Sequence, residues 1–578
     1  MDYKSYYENQ VGSGTPVFQG SRFQKGYGLG SMFKSFFKWV LPVFKTHAVP
    51  LLKSSAKALG TEAIRTAANV ANDTLSGISI EKSAKNRAKE AIDNISNKAQ
   101  NAIQEQQQIQ EGSGKRKPKK RKKSFIIKKV DKKLRRDILE EKMSFLSKNS
   151  MECAKSELDL FAVPPTQTSI ESARIVEYNS VTQANDGPLH FVVVGVEGEY
   201  VDLSQTYIYV KAKITTAKGD DITQENIVGP SNLLLHTMFS QVDVSVRNQK
   251  ITNSVNTYPY RCMFETLLNY GSDAKESHLT SALFYKDTAG QMNSIALKDA
   301  NINKGFIKRR EKTVKGEFEL YGRLHVDLFF QDRYLIDQVD LDLKLHKSRD
   351  SFVLMSDGKI EYKIQFTKTI LYVRQVKISN DVLLAHAKVL EGATIKYPMK
   401  RVETKAIVLS SGIHSKTLES VSTGRLPNRL VFGFVDCDSY NGNYKKNCFN
   451  FDHYNLNEVR VTVNGQDAPY SPLSLDFKTN LYTRGYYSLF TGIDRAPLDV
   501  GNSISMDEYA NGYTLFAFDL TPDMCNSDHL NLIRSGNVRI ELKFGEALAA
   551  AICCIVYMEY ESIMEINKAR NVMLDFII

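Results

Sequence analysis

Alternation of apolar and polar positions dominates the chain from residue 143 to the C-terminus. The segment 207–214, for example, reads Tyr-Ile-Tyr-Val-Lys-Ala-Lys-Ile. A period of two is typical of a β-strand with one buried face. Short helices are predicted only around Tyr260–Leu268 and Tyr486–Phe490. The pattern therefore predicts an all-β region over 143–578, which is too long for one β-sandwich.

The same order of strand-like segments occurs twice. Val242–Gln249 runs from an alternating strand into a polar turn, and Val459–Gln466 repeats this pattern. Further segments follow in each half: Leu324–Phe330, Val339–Leu345 and Ser351–Met355, then Thr514–Phe518, Val538–Phe544 and Cys554–Met558. Offsets near 200 residues indicate a domain duplication and not a solenoid. We predict two tandem eight-stranded jelly rolls over 143–357 and 358–578, with the boundary near Ser356–Lys363.

The first 142 residues differ in character from the rest. Residues 1–31 are rich in Gly, Ser, Gln and Tyr without periodicity, which predicts disorder. Residues 32–113 show helical spacing with Ala-rich, weakly apolar faces, which predicts an amphipathic helical arm. Residues 114–142 form a basic linker. The sequence therefore predicts a separate N-terminal arm before the β region.

Charge is distributed unevenly along the chain. The formal net charge is +11, yet residues 1–136 contain 28 Lys/Arg against 10 Asp/Glu. The remaining residues contain 48 Lys/Arg against 55 Asp/Glu, so the β region is mildly acidic. This split excludes a uniformly basic nucleic-acid-binding protein.

The seven cysteines are scattered and form no CxxC pair: Cys153, Cys262, Cys437, Cys448, Cys525, Cys553 and Cys554. This pattern predicts reduced, mostly buried thiols and not a disulfide or zinc framework.

Motifs of enzymes are missing from the sequence. Gly112–Lys115 has the residues of a phosphate-binding loop without its spacing, and the ten histidines form no metal motif. Gly219–Asp221 is interpreted as a turn, and Asp340 and Asp342 as solvated strand positions. We therefore expect no catalysis, no cofactor and no metal site.

A dense basic run is the strongest electrostatic feature of the chain. Such a run attracts polyanions without reading bases. Three interpretations remain open: a nuclear import signal, a nucleic-acid contact, and a solvated linker. The residues concerned are Lys115, Arg116, Lys117, Lys119, Lys120, Arg121, Lys122 and Lys123.

An aromatic segment within 32–45 alternates with lysines. A short helix with aromatic residues on one side and lysines on the other binds bilayer surfaces. Docking onto the protein's own shell and a plain core helix remain alternatives. The candidate membrane-active residues are Phe33, Phe36, Phe37, Trp39 and Phe44.

Four strings in the β region resemble a known family. They are Ala154–Phe161, Pro164–Glu171, Asn256–Tyr260 and Leu279–Gly290. They resemble the capsid protein of Polinton (Maverick) elements and adintovirus-like viruses, over about residues 143–578. The resemblance implies a double jelly-roll major capsid protein, similar in plan to adenovirus hexon. It further implies trimers, in which six jelly rolls give a pseudo-hexagonal tile.

The N-terminal arm resembles, more weakly, the membrane-active and basic core proteins of adenovirus-like particles. Adenovirus-type maturation proteases cut where Met, Ile, Leu, Asn or Gln is followed by any residue, Gly, any residue and Gly. Gln10–Gly14 and Gln110–Gly114 fit this pattern. The resemblance therefore implies cleavage between Ser13 and Gly14 and between Ser113 and Gly114.

Taken together, these features predict a virion structural protein of a DNA virus with a removable arm. The expected partners are a second and third copy of the chain, the capsid lattice, minor capsid or penton proteins, the maturation protease and double-stranded DNA. Membrane contact by the arm and assembly in the host nucleus are also expected. The alternatives are a penton-type minor capsid protein and a domesticated β-sandwich binding module.

Overall fold

The computed structural model describes residues 163–182, 187–298, 300–496, 498, 501–524 and 529–576. The predicted segments 1–31, 32–113 and 114–142 lie outside these residues. The strands of the first part are β1 (Ile170–Asn179), β2 (Leu189–Val193), β3 (Glu199–Thr216), β4 (Val228–Pro230), β5 (Phe239–Val246), β6 (Gln249–Lys250), β7 (Phe318–Arg323), β8 (Leu341–Lys347), β9 (Leu354–Ser356) and β10 (Tyr362–Ile378).

The second part has a similar series of strands. They are β11 (Ile395–Leu409), β12 (Ser415–Arg425), β13 (Arg429–Asp436), β14 (Leu456–Val463), β15 (Gln466–Asp467), β16 (Leu473–Ser474), β17 (Leu515–Asp519), β18 (Ser535–Phe544), β19 (Ile552–Ile566) and β20 (Val572–Leu574).

Helices connect these strands. They are α1 (Leu234–Thr237), α2 (Tyr258–Asn269), α3 (Ser272–Glu276), α4 (Lys304–Thr313), α5 (Asp350–Val353), α6 (Asn380–Val389), α7 (Cys437–Asn441), α8 (Thr483–Thr491) and α9 (Met506–Tyr509), with 3₁₀ turns at His278–Ala282 and Asp327–Phe330. The two helices predicted from the sequence correspond to α2 and α8. Helices α4 and α6 were not predicted.

Two four-stranded antiparallel sheets form the first half, in the orders β1-β10-β3-β7 and β2-β8-β5-β6. The second half repeats this arrangement as β11-β19-β13-β17 and β12-β18-β14-β15, with β20 added to β19 and β16 to β14. Each half thus pairs its strands in the order of an eight-stranded jelly roll. The predicted all-β double jelly roll is confirmed, and we call the halves the first roll (β1–β10) and the second roll (β11–β20).

The duplication extends to individual residue pairs. In the first roll Val242 of β5 lies opposite Leu345 of β8. In the second roll Val459 of β14 lies opposite Leu542 of β18. Both valines begin the strand and turn pattern that repeats in the sequence. Alternation is also confirmed in β3, where Ile208, like the other apolar residues of its face, is buried.

Strand β10 corrects the predicted boundary between the rolls. It begins at Tyr362, after the predicted division between residues 357 and 358, yet it pairs with β1 and with β3 of the first roll. The first roll therefore extends to Ile378, and the chain passes through α6 before β11 begins the second roll. In the sequence, the turn over 357–361 looks like a domain boundary. The sheet to which a strand belongs, however, is decided by the strands to which it is hydrogen-bonded.

Two of the segment matches between the halves were wrong. Leu324–Phe330 follows β7 and ends in a 3₁₀ turn, so β7 is the counterpart of β17. Ser351–Met355 covers α5 and the start of β9, whereas the counterpart of β19 is β10. Apolar alternation over five residues does not distinguish a strand from a short helix.

Buried apolar side chains of both rolls belong to one continuous hydrophobic core. The described residues from Gln167 onward also fall within one compact unit. The contact between the rolls is therefore part of the protein interior and not a loose linker.

Among the described residues, no helix is long and apolar enough to span a membrane.

Candidate functional site

The residues singled out in the sequence for cleavage, membrane contact and polyanion binding all precede Val163, so they lie outside the described residues. The turn predicted at Gly219–Asp221 is present, because the Gly219 N–H donates to the Thr216 carbonyl. Asp342 is not simply solvated, since its carboxylate lies 2.7 Å from His190 Nε2. Asp340 accepts a hydrogen bond of 2.9 Å from the Gly195 N–H.

Several buried ion pairs and hydrogen bonds of the described residues lie between the rolls. We call this region, which surrounds α2 (Tyr258–Asn269), the junction. Helix α2 is its centre. Pro259 lies in the first turn of α2, where its missing N–H costs nothing. The helix is buried on nearly all sides, which is typical of a helix inside a core. It packs on β5 of the first roll and on β11 and β19 of the second.

A charged network extends from α2. Arg261 contacts Glu265 at 2.9 Å and Asp327 at 2.7 Å, and all three side chains are at most 11% exposed. The second roll completes the network, because the Tyr557 hydroxyl donates to Glu265 at 3.4 Å. The Val402 N–H likewise donates to Asp327 at 3.2 Å. The network therefore connects both rolls with satisfied buried groups.

Burial and charge act in opposite directions on these carboxylates. Burial by itself would raise the pKa of Glu265, but Arg261 and His325 lower it to about 2. Burial raises the pKa of Asp327, although Arg261 is beside it. Glu265 is consequently the firmly ionised member of the network.

Three buried side chains with metal-binding atoms lie together in the first roll. His236, Cys262 and His325 each offer one donor atom, and these atoms are within 4.8 Å of one another. Both rings already have partners: His236 Nδ1 lies 3.0 Å from the Tyr258 hydroxyl, and His325 Nδ1 lies 2.5 Å from Glu265. No fourth donor joins them among the described residues, whereas structural zinc sites use four. We interpret the group as a hydrogen-bond network of the junction.

A second polar contact forms around Asp287. Its carboxylate pairs with Arg309 at 2.7 Å, and both side chains are at most 1% exposed. From the second roll, Asn447 donates to the same carboxylate at 3.0 Å, and the Tyr513 hydroxyl donates to the Asp287 carbonyl at 2.7 Å. Arg309 also donates to the Tyr285 carbonyl at 2.7 Å. Asp287 is therefore a shared acceptor for both rolls.

Two lysines of the first roll reach into the second. Lys275 Nζ donates to the Asn502 carbonyl at 2.6 Å and to the Leu267 carbonyl at 2.8 Å. Burial, with help from Lys286 and Arg495, lowers the pKa of Lys275 to about 7. Lys286 pairs with Glu508 at 2.6 Å. These contacts connect the helical insertion of the first roll, which is residues 258–313 between β6 and β7, to the loop around α9.

A cavity of about 400 Å³ opens at the junction beside α6. It is lined by Ile170 and Tyr200 of the first roll, Tyr397 of the second roll, and His386 of α6. His386 Nδ1 lies 2.9 Å from the Tyr200 hydroxyl, and burial lowers the pKa of this histidine.

Two of the strings that carry the family resemblance lie at the junction. Asn256–Tyr260 contains Tyr258 and the start of α2, and Leu279–Gly290 contains Asp287 and Lys286. The Gly290 N–H also donates to the Asn511 carbonyl at 2.8 Å. The strings were recognisable in the sequence, but their role was not, because their partners lie far along the chain.

Comparisons with known proteins agree with this fold. The double jelly roll-like domain family matches residues 272–554, which include parts of both rolls. The uncharacterized protein F54H12.2 of Caenorhabditis elegans is 27% identical over 435 residues, covering 72% of this chain and all of the relative.

One solved structure shares this fold over most of its length. A chain of the cryo-EM structure of the Sputnik virophage superposes with a TM-score of 0.53 and 12% identity, covering 74% of this chain and 93% of that chain. The crystal structure of the mavirus major capsid protein matches with a TM-score of 0.43 and 11% identity, covering 75% of this chain and 96% of that chain. The strand order and the domain match agree: the described residues have the double jelly-roll fold.

Proposed function

We propose that this chain is a major capsid subunit, a structural protein that forms a shell by contact with copies of itself. The observation that carries the proposal is the duplicated jelly roll whose halves share a buried, polar junction. A fixed pair of rolls is a rigid building unit, because buried and satisfied polar networks specify one arrangement. Likeness in fold to a chain of the Sputnik virophage supports the same role.

The proposed assembly is a trimer of hexon-like plan. Three chains with two similar rolls each would place six rolls around a threefold axis, which suits a pseudo-hexagonal tile of an icosahedral shell. Strand β1 lies at a sheet edge and exposes Ile175 to 67%. Exposed edges of this kind are suited to contact with a neighbouring chain.

The solution mass of the full chain tests the assembly. We expect a trimer of the 65.3 kDa chain, and shells or tiles in electron micrographs. Ile175→Lys should reduce trimer or lattice formation without lowering the melting temperature, whereas Lys312→Glu, exposed on α4 and not on an edge strand, should leave assembly unchanged. A stable monomer at micromolar concentration would contradict the capsid role and favour a β-sandwich binding module.

We further propose that residues 14–113 are released by an adenovirus-like maturation protease. Support comes from the two matching sequences, which flank the helical arm. The C. elegans relative is matched over its whole length but covers only 72% of this chain. Part of this chain therefore has no counterpart in that relative. Treatment with such a protease, followed by N-terminal sequencing, should yield Gly114. Gly112→Ala should abolish that cut, whereas Ser113→Ala, at a tolerant position, should preserve it.

The basic run from Lys115 to Lys123 is proposed to contact packaged double-stranded DNA and to direct nuclear import. Fourteen basic residues and one acidic residue in 114–136 make such binding electrostatic and steeply salt-dependent. Replacing the eight basic residues of 115–123 by Gln should weaken DNA binding and flatten its salt dependence. Gln at Lys82, Lys85 and Lys89 of the arm is the control and should leave the slope nearly unchanged.

The released arm is proposed to disturb membranes through its aromatic residues. Protease-treated protein should release dye from vesicles, and Trp39→Ala together with Phe36→Ala should reduce this release. Equal leakage before and after these substitutions would assign the aromatic segment to docking on the shell.

A further inference from the structure

We propose that Cys437 and Cys553 are a site of covalent modification: they form an intramolecular disulfide when the chain meets a small disulfide oxidant. Their Sγ atoms lie 2.9 Å apart. A disulfide needs about 2.04 Å, so the two sulfur atoms must approach by about 0.9 Å. Nothing in the cysteine spacing predicted this pair, since 437 and 553 are far apart in the chain.

The backbone holds the two cysteines next to each other. Cys437 directly follows β13, whose last residue, Asp436, lies opposite Ile552 of β19. The Cys437 N–H also donates to the Ala551 carbonyl at 3.3 Å. Both sulfur atoms are thus carried by adjacent, hydrogen-bonded segments, which require no domain movement to join.

The two thiols differ in their access to solvent. Cys437 is half-buried, whereas Cys553 is only 1% exposed. Burial raises the pKa of Cys553, with Cys437 adding to the shift. Cys554 is also buried, but neighbouring residues of a strand point to opposite faces. Cys437 is therefore the thiol that an oxidant reaches first.

Thiol–disulfide exchange with oxidised glutathione balances the reaction. The Cys437 thiolate attacks one sulfur of glutathione disulfide, forms a mixed disulfide and releases one glutathione thiolate. The Cys553 sulfur then loses its proton to solvent and attacks Cys437 Sγ, which releases the second glutathione. Two protein thiols are oxidised, one glutathione disulfide is reduced to two thiols, and no other reactant is needed.

The bond would reinforce the junction. Cys437 begins α7, and both α7 and the loop that follows it contact the first roll. The Arg349 guanidinium donates to the Asn441 carbonyl at 3.1 Å, and the Ser356 N–H donates to the Tyr444 carbonyl at 2.8 Å. Fixing the start of this loop to β19 would therefore hold both the second roll and its contact with the first. Such a bond would form after the protein leaves a reducing compartment.

The test uses the full chain, purified reduced and then incubated with oxidised glutathione. Tryptic digestion without reductant and mass spectrometry should reveal one linked peptide joining the Cys437 and Cys553 segments, which dithiothreitol removes. Cys437→Ser and Cys553→Ala should each abolish it. Cys554→Ala is the matched control and should retain it, since this side chain lies on the other face of β19.

The oxidised wild-type chain should also melt at a higher temperature than the reduced chain, and Cys437→Ser should remove that difference. A glutathione adduct on Cys437 without a linked peptide would overturn the proposal. So would a linked peptide that survives Cys553→Ala. Neither result depends on assembly, so a failure here would leave the capsid role to be judged by the mass and microscopy of the particles.

Discussion

Arg309 and Asp287 form an ion pair that is withdrawn from water at both ends. Arg309 Nη2 lies 2.7 Å from Asp287 Oδ1, and the two side chains are 0% and 1% exposed. Burying two charges is costly unless every remaining donor and acceptor has a partner. Here the Arg309 Nε–H donates to the Pro230 carbonyl at 2.9 Å, and Asn447 of the second roll donates to the other carboxylate oxygen. The pair thus fastens the helical insertion of the first roll to the second roll.

Removing one partner of this pair should strongly destabilise the chain. We expect Asp287→Asn to lower the free energy of unfolding by about 3–5 kcal/mol, because the buried guanidinium loses its counter-charge. Urea unfolding followed by fluorescence measures the loss. Glu171→Gln, which breaks the exposed pair with Lys377, is the control and should leave the midpoint unchanged. Equal effects of the two substitutions would contradict a special role for the buried pair.

Acid should remove the stability contributed by Glu265. Its folded pKa of about 2 lies below the ordinary 4.5, so its contribution is complete above pH 4.5 and is lost as the pH falls toward 2. Glu265→Gln should therefore be less stable than the wild type at pH 7, and the gap should narrow below pH 4.5. Thermal melts across this range measure it, with the exposed Glu311→Gln as the control. A gap that stays constant with pH would refute this assignment.

Lys275 should also make stability rise with pH, but in an alkaline window. Its folded pKa of about 7 lies below the ordinary 10.5, so between these values the folded chain has lost a proton that the unfolded chain keeps. Stability should therefore rise with pH across this window, by up to about 1.4 kcal/mol per pH unit. Lys275→Met should lack this rise in chemical unfolding at pH 6.5, 8 and 9.5. The exposed Lys416→Met should keep the wild-type profile, and a rise that persists in Lys275→Met would disprove the prediction.

Gly305 should not tolerate a side chain. A Cβ atom there would lie 2.5 Å from the Lys286 carbonyl oxygen and 2.6 Å from that of Tyr285. Because these are backbone atoms, α4 would have to shift, and Arg309 would shift with it. We expect Gly305→Ala to cost about 1–3 kcal/mol of stability. Gly392→Ala, where no heavy atom lies within 4 Å, should have little effect in the same thermal melts. Similar melting temperatures of the two variants would argue against this tight contact.

The sequence predicted the duplication because each copy buries a strand with the same alternating face. Val242–Gln249 and Val459–Gln466 could be matched without coordinates, and their strands do occupy the same place in the two rolls. The short helices within 260–268 and 486–490 were also visible, since their apolar spacing differs from a period of two. Helix α6 was missed because it follows directly on a long strand.

The junction could not be predicted in the same way. Tyr557 and Glu265 are 292 positions apart in the chain, and no local pattern marks them as partners. The same applies to Asn447 with Asp287 and to Cys437 with Cys553. The string Leu279–Gly290 was recognisable as part of the family resemblance, but the sequence did not show which residues it contacts.

The sequence by itself determined the β character of residues 143–578, their duplication, and the separation of a basic arm from an acidic β region. These properties follow from local periodicity and composition, which each segment carries independently of the others. The tertiary structure decided that β10 belongs to the first roll, and it brought Arg261, Asp287 and Lys275 to the second. These arrangements depend on hydrogen bonds and ion pairs between segments that are distant in the chain. Such contacts stabilise the protein only once both rolls have folded against each other.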